Sequence, residues 1–60
     1  MRSAYDNFSA VIALYHRRGV SATTGAWSRL WADIARAYAG GRLSDREHDE
    51  LFDACAAVLA

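Results

Sequence analysis

The side chains that could do chemistry in this chain are two histidines, one cysteine and seven carboxylates. A metal site would need its ligand atoms within about 2.0–2.3 Å of one ion. His48 and Cys55 share a face of the expected last helix, yet the helical rise separates them by roughly 10 Å along its axis. We therefore expect neither a metal site nor a cofactor, and we interpret Cys55 as a small buried hydrophobe.

Nucleophilic catalysis would need Cys55 beside a base that a third group orients. The available bases are His16 and His48, and the acids of the last helix would have to supply the third group. Three helices made from 60 residues leave little room for a concave pocket, and the chain carries no catalytic motif. We expect that the protein is not an enzyme.

The formal net charge is zero, but the charges are unevenly distributed along the chain. Residues 1–42 hold six arginines against two aspartates, a balance of +4. Residues 43–60 hold one arginine against five acids, a balance of −4. Opposite charges should draw these two parts together, or draw each part to the opposite part of another copy.

Composition indicates codon pressure and the compartment. All seven basic residues are arginines and thirteen residues are alanines, a bias that a GC-rich genome tends to produce. A lone cysteine cannot form an intrachain disulfide and favours a reducing compartment. No apolar run is long enough for a signal peptide or a membrane span. We expect a mature, soluble, cytoplasmic protein.

Helical periodicity dominates the sequence. Its clearest example is a stripe of large apolar residues at i, i+3, i+4, i+7 and i+11, formed by Trp27, Leu30, Trp31, Ile34 and Tyr38. Similar stripes before and after it predict helices near residues 3–18, 24–39 and 45–58. Short connections favour antiparallel neighbours, so we predict an all-α, compact three-helix bundle with residues 1–60 as a single domain.

Capping residues mark the ends of these helices. Ser44 with Glu47 forms a capping box, Ser3 with Asp6 forms a close relative of one, and Gly19 is the expected left-handed stop of the first helix. The start of the second helix is open, because three residues of the connection could cap it: Ser21, Thr23 and Thr24.

The expected core has Trp27, Trp31 and Phe52 near its centre. Trp31 is expected to be the most consequential of the three, because stripe neighbours lie on both sides of it. The alternative for Trp27, at the start of the second helix, is a place at the edge of a core this small. The last helix is expected to turn inward Leu51, Phe52, Cys55, Val58 and Leu59.

Binding to DNA is the alternative function. Three short helices are the minimal helix-turn-helix body. The last helix would then be the recognition helix, yet its five acids would repel phosphates, which supply most of the non-specific affinity. A DNA-binding surface would have to use Arg17, Arg18, Arg29, Arg36 and Arg42.

The favoured function is that of a small non-catalytic regulator, such as an inhibitor, an antiactivator or an adaptor, which binds another protein through a helical surface. Exposed aromatic residues and arginines are typical of interface hot spots, and an acidic helix can mimic nucleic acid toward a basic groove. The candidate partner-binding residues are Trp27, Arg29, Trp31, Arg36, Asp45, Asp49, Glu50 and Asp53.

Self-association is also expected. Chains below about 70 residues usually need a disulfide, a metal or a partner chain, and only the partner remains here. We predict a symmetric homodimer with the second helix at its seam. The +4 and −4 parts would meet crosswise between the two chains.

The segment 41–54 combines a turn, the Ser44–Glu47 capping box and an acidic helix. In these features it resembles the short C-terminal helical hairpins called SHOCT domains. The resemblance covers about a quarter of the chain, and we carry no function across it.

Replacing Ser44 by alanine should lower the free energy of unfolding by about 1 kcal/mol, because the first turn of the last helix loses its cap. Urea denaturation measures this difference. Backbone chemical shifts should show helix across residues 45–55, and extended shifts there would contradict the proposed fold.

Overall fold

The computed structural model describes residues 3–59, with side chains described as far as residue 57. Three α-helices follow in order: α1 (Ala4–Arg18), α2 (Ala26–Ala39) and α3 (Asp45–Leu59), with a short 3₁₀ helix at Ala22–Thr24. Each α-helix packs against the other two. The predicted all-α three-helix bundle is confirmed. The inward positions expected for Val58 and Leu59 lie outside the described side chains.

Both predicted capping boxes are present. The backbone N–H of Glu47 donates to Ser44 Oγ at 3.1 Å, and the Ser44 N–H donates to Glu47 Oε1 at 2.9 Å. At α1 the Asp6 N–H donates to Ser3 Oγ at 3.2 Å, and the Ser3 N–H reaches Asp6 Oδ2 at 3.5 Å. Gly19 ends α1 with φ 64°, as expected for a left-handed stop. Contacts between residues three apart therefore determine where these helices begin and end.

The connection between α1 and α2 contains a short 3₁₀ helix that the sequence analysis did not predict. Ser21 caps the 3₁₀ helix, since its Oγ accepts from the Thr23 N–H at 3.2 Å. Gly25 then takes φ 82°, a left-handed conformation that favours glycine, and α2 begins at Ala26. The Ala26 N–H donates to Thr24 Oγ1 at 3.3 Å. Because of this 3₁₀ turn, α2 begins two residues later in the chain than predicted.

The buried core draws on all three helices and on the turn before α3. Its members are Ile12, Trp27, Leu30, Ile34, Ala37, Leu43, Leu51 and Cys55. Cys55 is fully buried, which confirms its interpretation as a small hydrophobe, and desolvation raises the pKa of its thiol.

Trp27 is the tryptophan that the core fully encloses, and this corrects the expectation that Trp31 would be the more consequential of the two. Trp27 is 1% exposed, and its indole N–H donates to the Val20 carbonyl at 2.9 Å. Tyr15 and His16 of α1 approach the same indole with ring centroids 5.2 and 5.3 Å away. Trp31 is only half-buried. The connection and the end of α1 enclose the first turn of α2, so Trp27 does not lie at the edge of the core.

Trp27→Ala should unfold the chain or lower its free energy of unfolding by about 3–5 kcal/mol, because it removes a fully buried indole and its hydrogen bond. Trp31→Ala is the matched control, and it should cost clearly less because its indole is partly exposed. Urea denaturation followed by circular dichroism compares the two variants. Equal losses, or a larger loss for Trp31→Ala, would contradict this assignment of the core.

Candidate protein-binding surface

A row of four rings runs along the seam between α2 and α3. Trp31 and Phe52 meet edge to face with centroids 4.9 Å apart. Phe52 and His48 lie 4.1 Å apart, and His48 and Tyr38 lie 4.3 Å apart. Tyr38 is 38% exposed, and the other three are half-buried. We call these four residues the aromatic row.

Helical spacing explains how the row is assembled. Trp31 and Tyr38 are seven residues apart and so share the edge of α2 that faces α3. His48 and Phe52 are four residues apart and share the facing edge of α3. The tight turn after α2 makes the two helices antiparallel neighbours, which places Tyr38 beside His48 and Trp31 beside Phe52.

Two acids flank the row at the beginning of α3. The Tyr38 hydroxyl donates to Asp45 Oδ1, and His48 Nδ1 lies 3.3 Å from Asp49 Oδ1. The hydrogen bond to Asp45 and the charge of that carboxylate raise the pKa of the Tyr38 phenol. Asp45 and Asp49 are both exposed. We call the aromatic row with these two acids the α2–α3 surface.

Glu50 belongs to a different side of α3. Its Oε2 accepts a hydrogen bond from the Tyr5 hydroxyl of α1 at 2.8 Å, which raises the pKa of that phenol. Tyr5 and Glu50 both line an open, mostly apolar groove of about 270 Å³ between α1 and α3. Asp53 is exposed. The candidate acids therefore point in more than one direction.

The candidate arginines lie on the edge of α2 that faces α1. Arg36 and Arg42 line an open cleft of about 270 Å³ together with Phe8, Asp33 and Ala37. We call this the arginine cleft. Arg36 Nη1 is 3.8 Å from Asp33 Oδ1, and the two side chains are 79% and 57% exposed, so this ion pair is weak. The seven-residue spacing places Arg29 on the same side of α2 as Arg36.

The structure separates the eight predicted site residues into groups. Trp31, Asp45 and Asp49 come together at the α2–α3 surface, whereas Arg29 and Arg36 lie on the opposite edge of α2. Glu50 faces α1. Trp27 is 1% exposed, so its side chain offers almost no surface to a partner.

Three members of the surface were missing from the predicted set: Tyr38, His48 and Phe52. The available signal was a pair of aromatic side chains four residues apart on α3, opposite a pair seven residues apart on α2. Recognising it required knowing which edges of the two helices meet.

Within residues 3–59, no three His, Cys, Asp or Glu side chains gather as metal ligands would. In the same residues, none of the helices has the length and the apolar character needed to cross a membrane.

Comparison of the chain with protein-family models, with curated proteins and with solved structures finds no match. The resemblance of residues 41–54 to SHOCT hairpins is therefore not supported by a family match. The candidate surface has to be judged on its own geometry and charge.

Ionisation of Tyr38 gives a direct test of the α2–α3 surface. The pKa of Tyr38 is raised above the usual value of about 10, so the hydrogen bond to Asp45 stabilises the fold fully below that pH. This contribution should be lost as the pH rises through the raised pKa. Ultraviolet titration of the phenols should show Asp45→Asn shifting one tyrosine to lower pH, while the exposed Asp53→Asn control leaves the curve unchanged. Identical curves for both variants would contradict the contact.

Proposed function

We propose that this chain is a small, non-catalytic regulator that acts in the cytoplasm by binding a protein through the α2–α3 surface. The aromatic row is the observation that supports this function. Its four rings are in contact with one another and remain partly open to solvent. Aromatic side chains that are already held in place lose little entropy on binding, and they are enriched among interface hot spots.

The charges beside the row define the chemistry of the partner. Asp45 and Asp49 are exposed carboxylates next to an apolar strip. A partner that presents arginine or lysine around an apolar centre would gain both electrostatic attraction and burial of apolar surface. The same carboxylates would repel nucleic acid.

The proposal of a non-catalytic role rests on the open character of the surface. The groove between α1 and α3 and the arginine cleft are both open rather than enclosed. Cys55 is fully buried, and burial raises the pKa of its thiol, which disfavours the reactive thiolate.

Binding of DNA is a second candidate because Arg36 and Arg42 line one cleft and Arg29 shares their side of α2. A gel-shift assay with random duplex at low salt distinguishes the two functions. The protein-binding function predicts no shift. A salt-sensitive shift that Arg42→Ala weakens would favour the DNA-binding function.

Selection from a displayed library of helical peptides tests the protein-binding function even though the partner is unidentified. We expect the enriched peptides to combine an apolar face with flanking arginine or lysine. Tyr38→Ala should weaken their binding at least about tenfold by isothermal titration calorimetry, because it removes the most exposed ring of the row.

Leu14→Ala is the matched control for this experiment. Leu14 on α1 is 39% exposed, close to the 38% of Tyr38, but it lies outside the α2–α3 surface. We expect it to leave peptide affinity unchanged. Enrichment of acidic peptides, or equal losses for Leu14→Ala and Tyr38→Ala, would contradict the proposed function.

A further inference from the structure

We infer that the partner of the α2–α3 surface is a second copy of this chain, related by a two-fold axis parallel to α2. In this dimer the arginine cleft of each copy lies over the aromatic row and the acids of the other. The inference rests on the proposed function, because it identifies the protein that the same surface binds.

The chain itself carries the arginines and the apolar side chains that the α2–α3 surface requires of its partner. Seen from solvent, α2 has the α2–α3 surface along one edge and the arginines along the other. Arg36 and Arg42 line the arginine cleft together with the apolar side chains of Phe8 and Ala37 and with Asp33, which pairs weakly with Arg36. Guanidinium groups beside apolar side chains match exposed carboxylates beside aromatic rings, which also attract arginine through their faces.

The direction of the two-fold axis decides whether the arginines of one copy meet the acids of the other. Two copies can meet through the solvent face of α2 about a two-fold axis that is either parallel or perpendicular to the helix. The perpendicular axis places the arginine edge of one copy over the arginine edge of the other, and acids over acids. The parallel axis places the arginine edge of each copy over the α2–α3 surface of the other. Repulsion in the first arrangement and attraction in the second favour the parallel pair.

The positions of the charged residues along the α2 axis agree with the parallel pair. The Tyr38–Asp45 hydrogen bond fixes the beginning of α3 beside the last turn of α2. Arg36 and Arg42 lie at that same end of α2. A rotation about an axis parallel to α2 leaves the position of every residue along that axis unchanged. The arginines of one copy therefore lie opposite Asp45 and Asp49 of the second copy.

A stable pair would have to cover a moderate share of the surface of each chain. A standard interface buries about 800 Å² per partner, which is about a fifth of the 4161 Å² accessible on the free chain. The middle of the solvent face of α2 carries Ser28, Ala32, Ala35 and Ala39, all exposed. These small side chains let two helices approach to about 8 Å, which brings both edges of α2 within reach of the other copy.

Charge reversal tests the pairing, because each variant alone should lose self-association and an equimolar mixture of the two should dimerise again. We expect sedimentation equilibrium of the unmodified chain, between about 1 and 100 μM, to give twice the monomer mass of 6.6 kDa. Arg36→Glu/Arg42→Glu and Asp49→Arg should each weaken self-association at least about tenfold. An equimolar mixture should recover the dimer, with one copy of each variant.

Cysteine cross-linking tests the orientation. In the parallel pair Ser28 meets Ser28 of the second copy, and Ala39 meets Ala39 of the second copy. We expect Ser28→Cys and Ala39→Cys each to form disulfide-linked dimers alone on mild oxidation. The antiparallel arrangement would instead link the two variants only when they are mixed. Cys55 is fully buried, so the unmodified chain is the control and should form no cross-linked dimer under the same oxidation.

A monomer mass at every concentration, a mixture that stays monomeric, or cross-links that form only between Ser28→Cys and Ala39→Cys would each overturn the parallel dimer. The peptide selection remains informative in that event. If it still enriches basic apolar helices that need Tyr38, the α2–α3 surface binds a different protein. If it enriches none, the proposed function fails as well.

Discussion

The enclosure of Trp27 is the constraint on which the rest of the bundle depends. Its indole N–H donates to the Val20 carbonyl at 2.9 Å, and the Tyr15 ring packs against it edge to face. One side chain thus joins the end of α1, the connection and the first turn of α2. By holding α2 at this rotation about its axis, it turns Trp31 toward α3 and Arg36 toward solvent beside α1.

The separation of charge follows from that rotation. Once the stripe of α2 faces inward, its arginines share one edge, while Asp45 and Asp49 of α3 lie beyond the other. Local contacts hold these groups without neutralising the opposite charges: Asp45 accepts from Tyr38, and Glu50 accepts from Tyr5. The Arg36–Asp33 pair spans 3.8 Å between largely exposed groups. A charge pattern of this kind is suited to association with a complementary surface.

Much of the fold was predictable because its determinants are local. The Ser44–Glu47 box closes over three residues, and Gly19 ends α1 through its own backbone conformation. The candidate site was predictable only in part. Trp31, Asp45 and Asp49 were expected and come together, but their connection through His48 and Phe52 was not expected. That connection depends on which edges of two helices face each other, and no interaction within a single helix determines it.

The sequence by itself determined the number of helices, the caps that begin α1 and α3, and the apolar stripe of α2, because hydrogen bonds and periodicity within a few residues define these features. Only the tertiary structure decided how the stripe is divided between the core and the surface. The 3₁₀ turn and the left-handed Gly25 bring the connection over Trp27, while Trp31, one turn further along, packs against Phe52 at the edge of α3. Both tryptophans satisfy the same helical period, so their burial depends on which segments the folded chain brings over them.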